Sequence, residues 1–468
     1  MGTTVEPVSG RLGAAAENSL RSLVHGAVFT PREAGYEDVR AVYNGSIDRR
    51  PEAVVQVSGV ADIARTVRFA RENGFAVSVR GGGHGVAGMA VAGEIVIDLS
   101  ALRGVTVDPV AGTAVVQGGA TWAEVDAATQ AHGLAVPGGR VSHTGVAGLT
   151  LGGGEGWLTC RHGLTSDNLI AVDVVTADAQ LVVASETESP ELFWALRGGG
   201  GNFGVVTSFT FRLHPVGPLV LGGMLAFEIA AAPDVMRVLQ ELHAEGYADL
   251  GAAAAFLTAP PAPFVPGDVV GRPIIAVIPA WFGDIEEGMA LLGRFREVAT
   301  PVIDAVAPMP YVALQSMLDA GAQPGMRNRW SGGFVPEVKP DLVAALQDAA
   351  VRMPSPLSQI IISPLPDSVR ALPDDATAFP SRSGRWLVHP VGVWPAPETD
   401  ETGIAWTRDL AAIVRASGET GTYLNLDESD DARVRWAMGE ARFQRLQQVK
   451  KAWDPQDMFR FCAHIPLP

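Results

Sequence analysis

Apolar and polar positions alternate in short runs over the first two hundred residues, with glycines between the runs. FAVSVR, residues 75–80, alternates like a strand, and so do Ile95, Ile97 and Leu99 in MAVAGEIVIDLS. Val54 to Val57 reads as another strand. The segment ADIARTVRFARENG, 61–74, puts Ile63, Val67 and Ala70 on one helical face, keeps its arginines elsewhere and ends on Asn-Gly, a helix-stop signal. The β-branched and aromatic run from Val205 to Phe211 predicts a strand. Between about 216 and 420 helical patterns (Ala232 to Glu245, Ile285 to Val298) alternate with strand-like runs (Ala253 to Thr258, Ile274 to Trp281). The pattern predicts a layered α+β chain.

Three glycine-rich loops punctuate the N-terminal part: VRGGGHGVAG, 79–88; GVAGLTLGGGEGWLTCRHGL, 145–164; and RGGGGNFG, 197–204. Two of them contain a literal G-x-G-x-x-G, at Gly83–Gly88 and Gly199–Gly204. A Rossmann loop follows a strand and opens a helix, whose N-terminus then meets a pyrophosphate. Neither match does so, because each leads into a strand-like run. The loops can still form anion-binding nests and let a ligand approach the main chain closely. Tight turns alone need fewer glycines, so one large anionic ligand lying across all three loops is the sharper reading.

Composition narrows the classes. The chain has 468 residues, an apolar fraction of 47 % and a net charge of −16, from 35 basic and 51 acidic side chains. Lys339, Lys450 and Lys451 are the only lysines, and no basic tract is present, which argues against nucleic acid as a partner. No segment approaches the roughly 18 uninterrupted apolar residues of a membrane span. The N-terminal stretch MGTTVEPVSGRLGAAAENSL lacks the basic start and apolar run of a signal peptide, so a cytoplasmic location is expected. Cys160 and Cys462 are the only cysteines, too few for a disulfide framework. A zinc site at His143 and His162 is unattractive without a carboxylate or cysteine at regular spacing, and no metal is expected.

The ordered set VRGGGHGVAG, VSHTGVAGLTLGGGEGW, HGLTSDNL and ELFWALRGGGGNFGVV, with GTYLNLDES and RLQQVKKAWDPQDMF near the C-terminus, resembles the FAD-linked oxidases of the vanillyl-alcohol oxidase class. It is most similar to berberine-bridge-enzyme-like proteins and bacterial oxidases of secondary metabolism. The resemblance covers roughly residues 35–215 and 420–468. It implies an FAD-binding domain in two pieces, 1–215 and 421–468, with an inserted antiparallel-sheet substrate domain at 216–420. It also implies that His84, in R-G-G-G-H, bonds covalently to the 8α-methyl of the flavin. By the same resemblance the cofactor is held by Arg80, Gly81, Gly82, Gly83 and Gly85 of the first loop, and by Gly139, Gly145, Gly148, Gly152, Gly153 and Gly154 around the second. Gly204, Val205 and Asn425 complete the set. His143 and Thr144 precede the second glycine loop, where related oxidases put residues beside the reactive side of the ring.

The chain departs from the family pattern in four places. The cysteine that makes a second flavin link in many members is replaced by Val141, and Cys160 does not match that position, so a single link is expected. Leu426 follows Tyr423-Leu424-Asn425 where many members carry a tyrosine base. Tyr423, His389 and Glu337 are candidate bases by residue type. Glu155 stands between glycines where relatives carry an apolar residue. Cys462 and His464 replace the asparagines of the usual closing segment.

The expected activity is oxidation of a small metabolite, aromatic or polyketide-like, by hydride transfer to the flavin, with dioxygen as acceptor. The flavin carries that chemistry, and His143, Thr144 and Tyr423 are the candidate catalytic groups. A flavin-dependent oxygenase and a non-redox metabolite-binding or cyclisation protein remain as alternatives. Trp281, Trp330, Phe334, Trp386 and Trp394 are candidates to wall an apolar pocket.

Overall fold

The computed structural model describes residues 12–427 and 430–468. Glu428 and Ser429, the end of GTYLNLDES, and the first eleven residues of the N-terminal stretch lie outside them.

The N-terminal part builds two sheets. Strands Ala27–Phe29, Ala53–Gln56, Ile95–Asp98 and Val77–Arg80 form the first, and its last three strands run parallel. The helix Val60–Asn73 crosses between two of them and buries Ile63, Val67 and Ala70 as its pattern requires. Gly74 ends this helix at φ 70°, and its N–H reaches back to Ala70 and Arg71 carbonyls. The predicted run after Gly88 contains one 3-10 turn, Met89–Val91, before the strand begins at Ile95. The second sheet is antiparallel, in the order Val105–Asp108, Thr113–Gln117, Val205–Arg212, Leu169–Val175, Leu181–Ser185.

The middle region forms a ten-stranded sheet centred on Leu250–Thr258, Pro273–Trp281, Gln359–Pro364 and Trp386–Trp394, whose mutual pairings are antiparallel. Helices Ala232–Glu245, Ile285–Val298, Pro340–Ala350 and Asp400–Ala416 bury Leu239, Leu292, Leu346 and Leu410 in one core with this sheet. Asp284 caps the second of them by accepting from the Glu286 and Glu287 N–H groups. Because only one sheet face carries these helices, the opposite face is turned toward the glycine loops. That face presents Ser363, Leu387 and His389, in register with Leu387 opposite Ser363 and His389 opposite Ile361.

The C-terminal stretch returns to the first part of the chain. Val434, Met438, Phe443, Leu446, Val449 and Ile465 share a core with Trp122, Phe193 and Phe209. Lys450, fully buried, bonds Asp454 and the carbonyls of Asn202 and Phe459. Just before this, Gly421 pairs with Phe334 of the middle region, so the segment 420–426 touches both parts.

Candidate active site

Backbone pressed on backbone builds the centre. Gly82 and Gly145 face each other so closely that a Cβ on Gly82 would lie 2.5 Å from the Gly145 nitrogen. The loop of His84 and the segment Val141–Gly145 therefore form one surface, and only glycine permits the approach. His84 lies on it with its ring stacked on Tyr43 at 3.9 Å and 14°. His143 stands at 5.1 Å and Trp330 at 6.2 Å, both measured between ring centroids. The Tyr43 backbone holds the loop by an N–H bond of 3.0 Å to the Gly83 carbonyl, and Asn44 donates to the Val86 and Asn328 carbonyls. Asn44 thereby ties the His84 loop to the middle region.

Burial pushes the His84 pKa down to about 3, and the neighbouring His143 ring adds to the effect. The imidazole is neutral at physiological pH. Its Nε2 is sealed from solvent and has no protein partner, and the same holds for His143 Nε2. Arg80 gives its guanidinium to the Val39 carbonyl, while its Nε stays unpaired beside Gly83.

The loop Gly152–Gly154 is held differently. Asn425 packs on Gly152 and donates to the Leu149 carbonyl at 2.9 Å. The Tyr423 hydroxyl accepts from the Gly154 N–H and from Asn425, each at 3.0 Å. Burial raises the Tyr423 pKa further above its ordinary value. Phe379 of the middle region lies against Gly153, whose φ of 114° admits glycine readily. Glu155 pairs with Arg140, which also donates to Ser363 at 2.8 Å and lies 4.5 Å over the Trp157 ring. Burial raises the Glu155 pKa, against the pull of Arg140.

The remaining expected residues divide. Gly85 and Gly148 face open space, with nothing within 4 Å of an added Cβ. Gly81 nears Ala147 of the second loop, and Gly139 packs on Leu149. Gly204 and Val205 open the strand Val205–Arg212, packed on Val174 and Val175, and belong to sheet packing. Thr144 donates its backbone N–H to the Val141 carbonyl and so shapes the turn into Gly145. Glu337 is exposed on the surface. Trp281 and Trp386 fill the helix-side core, and Trp394 bonds Asp400. Of the five aromatics, Trp330 and Phe334 come to the centre, beside Tyr43 and Tyr423 respectively. Tyr43, Arg140 and Asn44 were not legible in the sequence; the only signal was the Tyr-Asn-Gly turn at 43–45.

The chain matches family models described as FAD binding domain, over residues 51–185, and berberine and berberine like, over 423–466. It is 29 % identical to (R)-6-hydroxynicotine oxidase of Paenarthrobacter nicotinovorans, over 94 % of this chain and 97 % of that protein. An FAD-linked oxidoreductase of Dictyostelium discoideum is 28 % identical, over 96 % of each. The solved structure of 6-hydroxy-D-nicotine oxidase from Arthrobacter nicotinovorans superposes with a TM-score of 0.84 at 25 % identity, covering 95 % of this chain and 98 % of that one. Two parts of the chain that are distant in sequence thus carry the two halves of one flavoprotein signature. The chain carries an FAD binding domain and a berberine-like segment and has relatives and structural neighbours among the berberine-bridge-like FAD-linked oxidases, and it is an FAD-dependent oxidoreductase.

FAD fits the residues present. The orphaned nitrogens of His84 and His143 require a partner that the protein does not supply, and Gly85 and Gly148 leave room for one.

Proposed function

We propose that this protein is an oxidase of a small aromatic or polyketide-like metabolite, with FAD joined to the chain by one covalent bond at His84. The observation that carries the reading is His84 itself: a neutral imidazole with a sealed, unpartnered Nε2 on a glycine surface. Such a nitrogen is a nucleophile toward the activated methyl of an oxidised flavin. Bound FAD would accept the hydride and pass the electrons to dioxygen, which leaves as hydrogen peroxide. The chain's own residues bind and orient. Tyr43 stacks on the anchoring ring, His143 offers a hydrogen-bonding edge beside it, and Trp330 closes the wall. Thr144 borders the same surface.

The contacts support the following site roles. Arg80, Gly81, Gly82, Gly83, Gly85, Gly139, Gly145 and Gly148 are read as the cofactor surface. Gly152, Gly153, Gly154 and Asn425 hold its far edge. Tyr423 accepts two hydrogen bonds and is read as a strut for the Gly154 loop rather than as a base. A single link is supported by Val141 and by Cys160, whose thiol donates to the Trp157 carbonyl and whose pKa burial raises to about 12. The division into 1–215, 216–420 and 421–468 is supported by the core shared between the C-terminal helices and Trp122. The acceptance of dioxygen and the substrate class rest on the named relatives.

No helix among the described residues is long and apolar enough to cross a membrane.

The test is acid precipitation and peptide mapping of the purified protein. The pellet is expected to stay yellow, with flavin mass on the peptide containing His84 and on no cysteine peptide. A colourless pellet overturns the covalent bond, and flavin on the Cys160 peptide overturns the single link. A screen of phenols and alcohols for peroxide release tests the oxidase reading.

A further inference from the structure

We propose that His389 is the proton acceptor of this site, through its Nε2, standing in for the base that Leu426 cannot provide; this rests on the oxidase reading above. The argument begins with the hydrogen bond at the other nitrogen. His389 Nδ1 lies 2.7 Å from the Ser331 carbonyl oxygen. A carbonyl oxygen only accepts, so Nδ1 carries the hydrogen and the neutral ring keeps a lone pair on Nε2. No described residue bonds that nitrogen, and it is not fully sealed as the His84 and His143 nitrogens are, although the residue as a whole is buried.

The ring sits in the right wall. His389 lies on the strand Trp386–Trp394, on the sheet face turned toward the glycine loops. It meets Trp330 edge-on at 5.5 Å, and Trp330 in turn borders His84 at 6.2 Å. Leu387, two residues earlier on the same face, packs with Tyr423 and Leu426. Gly332, next to the Ser331 acceptor, touches both Leu426 and Leu387. The histidine thus shares a sheet face with Leu387, which packs with Leu426, the leucine at the family's usual tyrosine position.

Its electrostatic setting keeps it ready. Burial lowers the His389 pKa to about 4, the Ser331 bond and the Asp427 charge oppose the shift, and Arg140 assists it. Trp330 at the end of one strand and Ser331 just after it, Ile361 from the adjacent strand, and Arg140 and Asp427 are its surroundings. At neutral pH the ring is unprotonated in effectively every molecule. In the step itself the substrate O–H or N–H bond breaks and its proton goes to Nε2. The electron pair left behind closes a C=O or C=N double bond as the adjacent C–H leaves as hydride to the oxidised flavin. Nothing else is consumed.

Two measurements on the flavin-bearing protein test this. In the first, 15N spectra of histidine-labelled protein are recorded between pH 6 and 8 without ligand. The His389 signal is identified as the one missing in His389→Gln or, should that variant fold poorly, in His389→Asn. The expected result is a protonated Nδ1 and an unprotonated Nε2 throughout, and a protonated Nε2 overturns the proposal. In the second, anaerobic flavin bleaching is followed with 4-hydroxybenzyl alcohol and with 6-hydroxynicotine. His389→Gln is expected to keep its flavin and its apparent substrate affinity while the rate at saturation falls about 100-fold, with the wild-type acid limb near pH 4 abolished. A wild-type rate and pH profile in the variant overturn the proposal. If neither compound bleaches the wild-type protein although flavin is present, the failure falls on the substrate reading, and the nitrogen spectra alone decide His389.

Discussion

Two glycine loops meet at the centre of this molecule and are used in opposite ways. Around His84 the backbone is pressed against Gly145, yet Arg80 Nε, His84 Nε2 and His143 Nε2 find no protein partner and Gly85 faces open space. Around Gly152–Gly154 the space that side chains would fill is taken by Asn425, Phe379 and Thr165, and the Gly154 N–H is satisfied by Tyr423. The first loop is unfinished without a ligand; the second is finished by the rest of the chain. A run of glycines therefore marks close approach but does not tell what approaches. The orphaned nitrogens do, because buried polar atoms without partners are costly and rare.

The largest effect should come from the unfinished loop. His84→Ala removes the nucleophilic nitrogen, so flavin is expected wholly in the supernatant after acid precipitation, and a yellow pellet would erase the contrast between the loops. Next in size, His143→Ala and Thr144→Val should keep covalent flavin and a normal fold while turnover or reoxidation falls at least about tenfold, roughly 1.4 kcal/mol of lost transition-state stabilisation. Wild-type rates in both would make that segment a shaper of the loop only.

The finished loop should respond in stability instead. Tyr423→Phe leaves the buried Gly154 N–H without its acceptor and takes from the Asn425 amide one of its two acceptors, the other being the Leu149 carbonyl. Denaturant unfolding is expected to show a loss of about 1–3 kcal/mol, with the pH profile of turnover unmoved; a shifted profile would return Tyr423 to the chemistry.

The last effect is read as a pH dependence and concerns two buried carboxyls behind the loops. Glu155 has Arg140 as a partner. Asp126 has only Gln315, at 3.1 Å, while its Oδ1 is unpaired, and burial raises its pKa to about 7. With a folded pKa above the unfolded value of 3.8, the folded state binds more protons between those values. The contribution of Asp126 is thus fully favourable below about pH 4 and is lost as pH rises toward 7. Asp126→Asn should therefore flatten the fall in stability between pH 4 and 7 and raise the melting temperature at pH 8. An unchanged slope would show that this carboxyl finds a charge partner.

Much of this was legible along the chain. The helices Ala232–Glu245 and Ile285–Val298 coincide with their apolar patterns, because each buries one stripe on a sheet and the stripe dictates the period. A Rossmann loop was excluded by the strand-like runs after Gly88 and Gly204, and both runs are strands in the fold. The ordered motifs pointed to the same flavoprotein features that the two matched segments carry. The aromatic wall was read less well: Trp281 and Trp386 serve the helix-side core, since a tryptophan in a strand gives no hint of which sheet face it will occupy.

What the sequence determined by itself was local: the period of each element, the glycines at close approaches, and the replacement of expected residues by Val141 and Leu426. What only the tertiary structure decided was convergence. Tyr43 on His84, Asn425 on Gly152, Arg140 on Glu155 and Ser363, and His389 behind Trp330 join positions up to hundreds of residues apart. Such contacts leave no periodic trace, because they depend on how the sheets and loops stack in space rather than on the spacing of residues along one of them. The protonation of His389 and the strut role of Tyr423 are set by those neighbours, since a side chain's burial and hydrogen-bond partners, not its identity, decide whether it can take a proton.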